Sequence, residues 1–433
     1  MQTLKLTKKY ETYPEYKDSG VEWIGVIPTD WKVTRAKNLF KKMNRSPLES
    51  DGIITAFRDG TVTLRKNRRE DGFTMADKEI GYQRIKKGDL VIHGMDAFAG
   101  AIGVSDSDGK SSPVYSVCVP TQGSSPRYHA YLLRLMSKSK YIFALAKGIR
   151  ERSTEFRFKE FSNLEISEPS IEEQKKIAKY LDEKTSSIDQ VIERKQRLIE
   201  LLREKRTAVI NHAVTRGLDS KAEFVESSVD WIGKIPKGWN VKKLKFLGEA
   251  IIGLTYSPED LVSENGTLVL RSSNVQDSKI VLDDNVYVKK DIPKKLVTRL
   301  GDILICSRNG SRTLIGKNAT IDKDSEGLSF GAFMTVFRSK HSRFISCFLK
   351  SNLFMSQLST TLTSTINQLT THYLNNIVII VPPEKEQEVI ASYLDKKISE
   401  YDKAIKYVEQ SVEKLQEFKT SLISNVVTGK IKI

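Results

Sequence analysis

The sequence predicts an α/β (α+β) chain written twice. Two tandem globular regions are each followed by a long helix, and the helices pack as an antiparallel coiled coil within an internal pseudo-twofold repeat. Three recurrences predict this. "WIGVIP" at Trp23–Pro28 returns as "WIGKIP" at Trp231–Pro236, 208 residues on (231 − 23). "GDLVI" from Gly88 returns as "GDILI" from Gly301, now 213 on (301 − 88). "EQKKIAKYLDEK" from Glu173 returns as "EQEVIASYLDKK" from Glu386 at the same offset. Self-similarity at a fixed period marks a duplicated supersecondary unit.

Residues 1–168 form the first globular region. Short apolar runs such as "DGIITAF", "GDLVIHG" and "SPVYSVCVP" sit between Gly, Pro, Ser and Asp clusters, the pattern of strands. "YHAYLLRLMSKSKYIFALAKG" reads as amphipathic helix. Residues 169–218 form the first long helix, entered after proline at "EPSIEEQ" with acidic residues in its first turn, as the helix dipole prefers. Ala178, Leu181, Ile188, Ile192, Ile199, Leu202 and Val209 step along it as a heptad seam.

Residues 219–381 form the second globular region, with strand signals in "GTLVLRSSN", "GDILICS" and "NNIVIIVPP". Residues 382–433 form the second long helix, entered at "VPPEKEQ". Its seam runs through Ala391, Leu394, Ile398, Tyr401, Ile405, Val408, Val412, Leu415 and Leu422. Lys195, Arg206 and Lys419 interrupt the two seams; their stems can lie on apolar surface while their charges reach out of it. A helix of about 40 residues spans roughly 60 Å, an upper bound on the separation it sets. The rival readings are helices packed on their own regions, or an intermolecular coiled coil. The near-symmetry also brings the C-terminal residues back to the first region.

The 433 residues are 39% hydrophobic and 29% charged, enough to bury a core. Lys and Arg number 70 against 54 Asp and Glu, a formal +16 that suits a polyanionic partner such as nucleic acid. No apolar run reaches the roughly 18 residues of a membrane span, and "MQTLKLTKKYETYPEYKDSG" lacks a signal-peptide core. Cys118, Cys306 and Cys347 form no CxxC pair, and their odd number argues against a disulfide framework. A cytoplasmic protein is the simple reading.

The doubled W-I-G-x-I-P-x-x-W, the doubled G-D-[LI]-[LI]-I and the doubled E-Q-x-x-[IV]-A-x-Y-L-D-x-K helix resemble the specificity subunit of a type I restriction-modification system. Their order covers nearly the whole chain. The resemblance implies two target recognition domains, each reading half of a split site in double-stranded DNA, and a helical pair that fixes the gap. It implies two modification subunits that methylate adenine with S-adenosylmethionine, and restriction subunits that translocate and cut DNA with ATP and Mg²⁺. The chain itself would be a reader and scaffold, with no catalytic residues, no metal and no cofactor of its own.

The residues agree with a lack of chemistry. "NGSRTLIGKN" imitates a P-loop, but Ser311 stands where glycine is required and Asn318 where Ser or Thr should hold magnesium. His93, His129, His212, His341 and His372 form no H-x-x-x-H pair. "ERK" at Glu193 lies within a heptad helix and reads as a solvated face.

Frame residues should match between the copies; reading residues should differ. Trp23, Trp31, Trp231 and Trp239 match, so they are assigned to packing at the base of each region rather than to stacking on bases. Between Gly88 and Gly103, and between Gly301 and Gly316, the loops have equal length but unlike tips. The first tip holds His93 and Asp96; the second holds Ser307, Arg308, Asn309 and Arg312. Upstream, Arg58, Arg65, Lys66, Arg68 and Arg69 face Arg271, Ser273, Asn274 and Gln276. Downstream, Arg150, Arg152 and Arg157 face Asn367, Gln368 and His372. Arg suits guanine O6 and N7, and Asn or Gln suits adenine N6 and N7. The Lys/Arg clusters suit phosphate. For each, the plain rival is a solvated loop.

Two further functional readings stand beside this one. A stand-alone DNA-binding protein would use the same two regions without a methyltransferase. A fragment of a fused nuclease-methyltransferase would need catalytic residues that the sequence does not supply.

Overall fold

The computed structural model describes residues 10–68, 79–146, 155–263, 265–361 and 368–433. The chain divides into two compact units: Met1–Arg194 with Ser411–Ile433, and Lys195–Gln410. Both divisions fall inside long helices, so each unit holds one globular region and a stretch of each helix. The helices are Ile171–Arg216 and Glu384–Val427. The second stops well before residue 433, because Gly429 takes a left-handed φ of 74° and turns the chain.

Each globular region is built on a four-stranded antiparallel sheet of the same order. In the first unit Phe40–Met43, Tyr115–Pro120, Leu90–His93 and Ile102–Val104 lie side by side. In the second they are Glu249–Ile252, Met334–Arg338, Ile303–Cys306 and Asn318–Thr320. The apolar run "LVIH" explains the burial of both faces. Leu90 and Ile92 join the core with Trp31, Phe40 and Tyr128, while Val91 joins a second core with Ile54, Val62 and Val117. Successive strand residues face opposite ways, so a sheet covered on both sides needs a continuous apolar run. Ile303 and Ile305 against Leu304 and Cys306 repeat the division.

The strand registers correct one sequence expectation. Ile92 pairs with Ile102, and Ile305 pairs with Asn318. The connections therefore run over nine residues, 93–101, and twelve, 306–317, and are not equal. The counterpart of Gly316 is Gly100, not Gly103. Both follow a short 3-10 turn and take positive φ, 97° and 83°.

A second antiparallel pairing closes each region at its base. Lys32–Arg35 pairs with Glu165–Glu168, and Asn240–Lys243 pairs with Val378–Val381. The long helix starts directly after this exit strand. In the first unit Gln174 Nε2 donates to Pro169 O at 2.9 Å; in the second Gln387 Nε2 donates to Pro382 O at 2.8 Å. This bond fixes the turn from strand to helix and accounts for the glutamine of the doubled E-Q.

The tryptophans account for the glutamate. Trp31 is fully buried and its Nε1 donates to Glu173 Oε2 at 3.1 Å. Trp239 Nε1 donates to Glu386 Oε2 at 3.0 Å. Trp23 lies against Tyr141, ring centroids 5.2 Å apart. Trp231 departs from the expectation of packing: it is 55% exposed.

Within each unit the helix stretches run in opposite directions. In the second, Arg203 meets Glu409 at 2.9 Å and Arg206 meets Asp402 at 3.0 Å, so one number rises as the other falls. Ile199, Leu202, Ile405 and Val408 pack together there. Val209 and Ile398 lie against the adjoining core around Leu394. In the first unit Lys419 meets Asp189 at 2.6 Å, and Leu181 and Leu422 share a core that Ile188 borders. Ile192 and Val412 are buried and Leu415 is half-buried. Arg206 and Lys419, which interrupt the apolar seams, thus find carboxylates on the opposite helix.

The C-terminal residues complete the first unit. Tyr128 Oη donates to Val427 O at 3.1 Å, Tyr16 Oη to Gly429 O at 3.1 Å, and Lys432 N to Glu11 O at 2.8 Å. A Cβ on Gly429 would stand 2.5 Å from Pro28, and one on Gly217 would stand 3.1 Å from Trp239. The end of each long helix therefore closes over a tryptophan, helix one on Trp239 and helix two on Trp31.

Candidate nucleic-acid interface

The tip of the first region is assembled on main-chain bonds. Gly94 N donates to Val114 O at 3.0 Å, and Phe156 N donates to Gly94 O at 2.8 Å. These bonds seat the 93–100 connection beside the segment carrying Arg157. Arg58 reaches the same tip from the 57–61 turn and pairs with Asp96 at 2.8 Å. Asp96 N donates to His93 Nδ1 at 3.1 Å. The His93 ring stands edge-on to Tyr115, with centroids 4.5 Å apart. Burial lowers the His93 pKa, against the pull of Asp96, and favours the neutral imidazole.

The other basic residues spread along the upstream hairpin. Arg65 Nε donates to Thr55 Oγ1 at 3.2 Å. Lys66 is exposed. Arg68 pairs with Asp59 at 2.6 Å and lies over the Phe57 ring at 4.3 Å. Burial opposes ionisation of Asp59, but hydrogen bonds from Arg68 and Thr61 outweigh it and hold its pKa below the usual carboxylate value. Arg157 is exposed and pairs with Glu155 at 2.7 Å. Arg69, Arg150 and Arg152 lie outside the described residues.

The second tip repeats the frame with other side chains. Ser307 N and Arg308 N both donate to Phe333 O at 3.0 Å, and Leu369 N donates to Ser307 O at 2.7 Å. Arg308 lies over the Phe333 ring at 5.1 Å, and its backbone bridges to Gln368. Asn309 Nδ2 donates to Ser272 Oγ at 3.1 Å, which ties the tip to the upstream segment. Arg312 is exposed and donates to Ser359 O at 3.1 Å. Gln276 is exposed and donates to Ser273 O at 3.2 Å. Arg271 pairs with Asp284 at 2.8 Å. Asn367 lies outside the described residues.

Two residues are corrected here. Asn274 is fully buried; its Oδ1 accepts from Arg271 N at 2.9 Å and its Nδ2 donates to Val281 O at 3.0 Å. Ser307 is buried and its Oγ donates to Phe333 O at 3.0 Å. Their polar groups shape the turns and are not offered to a ligand. The structure adds Phe333, which sequence comparison of polar tips passed over.

Four of the basic residues, Arg58, Arg68, Arg157 and Arg271, rest on carboxylates near the surface. Exposed pairs of this kind are worth about 0–1 kcal/mol, so exchanging the carboxylate for another anion costs little. No group of three or more His, Cys, Asp or Glu among the described residues is placed to hold a metal ion. The three cysteines are buried and unbridged. Among the described residues no helix is long and apolar enough to cross a membrane.

Comparison with known proteins decides the family. A model of the type I restriction modification DNA specificity domain matches residues 28–201 and again residues 236–414. The chain belongs to this family. The two matches span both globular regions and most of both helices of the specificity chain. It is 25% identical over 422 residues to the type I restriction enzyme MjaVIII specificity subunit of Methanocaldococcus jannaschii, covering 94% of each chain. It is 30% identical over 207 residues to the EcoKI specificity subunit of Escherichia coli (strain K12), a match spanning 46% of this chain and 44% of that one. Among solved structures, a chain from work on complex assembly and conformational transition of the type I R-M system superposes with a TM-score of 0.70 at 14% identity. That match covers 93% of this chain and 98% of the other. The HsdS subunit from Thermoanaerobacter tengcongensis gives 0.52 at 15% identity, covering 94% and 98%. At these identities the likeness speaks for the fold.

Proposed function

We propose that the chain is the non-catalytic reader of a type I modification and restriction complex in the cytoplasm. Each globular region reads one half of a bipartite duplex site, and the helical pair sets the spacer and docks two modification subunits. S-adenosylmethionine belongs to those subunits, and ATP with Mg²⁺ to the restriction subunits. One observation carries this reading: the frame repeats bond for bond while the tips differ. Trp31–Glu173 matches Trp239–Glu386, yet the positions of Gly94 and Val114 in one tip are held by Ser307 and Phe333 in the other. Two readers of different half-sites need a common scaffold and unlike contacts.

The test is co-expression with the cognate modification subunit in a methylation-free host, followed by genome-wide mapping of methyladenine. A split motif with a fixed spacer is expected. A continuous motif overturns the ruler. A soluble complex with an active methyltransferase but no sequence-specific methylation favours the stand-alone binder.

A further inference from the structure

Phe333 is an exposed aromatic residue of the second tip. It is 59% exposed, just before the interior strand Met334–Arg338, while its neighbours Phe330, Met334 and Val336 are buried in the core. Its backbone is held firmly, since Phe333 O accepts from both Ser307 N and Arg308 N. Its ring carries the Arg308 guanidinium at 5.1 Å. Asn309 and Gln368 stand at the same tip. Exposed phenyl surface is costly in water and acquires value when a partner covers it. The equivalent main-chain position in the first tip, also accepting from the facing connection, is Val114. The position therefore differs between the copies, as a reading position should.

We infer that Phe333 and Arg308 act as one recognition element of the second region, Phe333 covering the 5-methyl group of a thymine adjacent to a guanine bound by Arg308. The inference rests on the reading proposed above. A guanidinium lying on a ring is held as a planar fork, the shape that meets guanine O6 and N7 in the major groove. The thymine methyl is the apolar group that the major groove exposes, and phenyl is among the side chains that meet it. Stacking lets one tip present the fork and the apolar surface to neighbouring bases.

The experiment uses the complex with its modification subunits and begins from the mapped wild-type motif. Each thymine of each half-site is replaced in turn by deoxyuridine, which keeps every hydrogen-bonding group and lacks only the methyl. One thymine of the second half-site should then bind the wild type about fourfold more weakly, the ratio for one buried methyl. F333A should bind the thymine and deoxyuridine duplexes equally, and F333L should retain part of the difference. Thymines of the first half-site should respond identically in all three proteins, which also shows that the variants are folded. R308K should relax the motif at the adjacent guanine. A second half-site without thymine, no deoxyuridine penalty there, or a penalty undiminished in F333A overturns the inference while leaving the split motif standing. Loss of the split motif in the wild type overturns the reading beneath it.

Discussion

Trp31 gives its indole hydrogen to Glu173 at 3.1 Å, joining the entry of the first globular region to the first turn of the long helix that leaves it. The hydroxyl of Tyr13 donates to the other oxygen of the same carboxylate. Glu173→Ala should leave both donors without an acceptor and cost about 1–3 kcal/mol in urea unfolding. Glu173→Gln retains an acceptor oxygen and should cost less. Equal losses in the two variants would show that the bonds contribute nothing beyond packing.

His129 is fully buried, and burial depresses its pKa to about 4, against a partly compensating bond to Ser125 O. The unfolded chain takes up this proton near pH 6.5, well before the folded one does. Stability should therefore be level above pH 6.5 and fall as pH drops from there towards 4, by about 1.4 kcal/mol per unit from this group. His129→Gln should remove that component of the slope when urea midpoints are followed across the window.

The ion pairs between helices should differ in worth. The Arg206 side chain is 21% exposed and that of Arg203 is 63% exposed. Double-mutant cycles should give Arg203–Glu409 a coupling of about 0–1 kcal/mol that salt removes. Arg206–Asp402 should couple more strongly and resist salt better. The reverse order would refute burial as the deciding factor.

Lys66 is exposed on the upstream hairpin, where phosphate is the expected partner. Lys66→Ala should weaken cognate and non-cognate duplexes alike. It should also flatten the log–log salt dependence by about 0.9. A changed methylation motif would instead make Lys66 a base reader.

If the helical pair is the ruler, adding one turn to both helices lengthens it by about 5.4 Å. The spacer in the methylation motif should shift by about one or two base pairs at 3.4 Å per step, with both half-sites unchanged. An unaltered spacer would sink the ruler.

Much of this was legible because it is periodic. The strands around Val91 and Leu304 announce themselves as apolar runs, and the helices as seams through Leu181 and Leu394. What escaped depends on local three-dimensional detail. Glycines aligned as letters placed Gly103 opposite Gly316, yet positive φ makes Gly100 the counterpart. Trp23 and Trp231 are the same residue in the same phrase, but Trp23 has Tyr141 to lie on while Trp231 stays largely exposed. Asn274 and Ser307 look like readers in a divergent loop, and only the turn geometry shows their polar atoms already taken. Phe333 escaped because a lone phenylalanine beside a strand is ordinarily core, and sequence carries no sign of which way it faces.

The segment Ser411–Ile433 belongs to the same unit as Met1–Arg194, whereas Lys195–Gln410 is a single stretch of chain. During synthesis the middle unit has all its residues in hand before the outer one does. Leu422, Val426, Val427 and Ile431, which finish the core around Trp31, emerge from the ribosome more than two hundred residues after the rest of it. Until then the first region carries an open apolar face, and its indole waits for a lid supplied by the far end of the second long helix. A chain halted before residue 411 therefore lacks the segment that finishes the first reader, although that reader's own strands were made first.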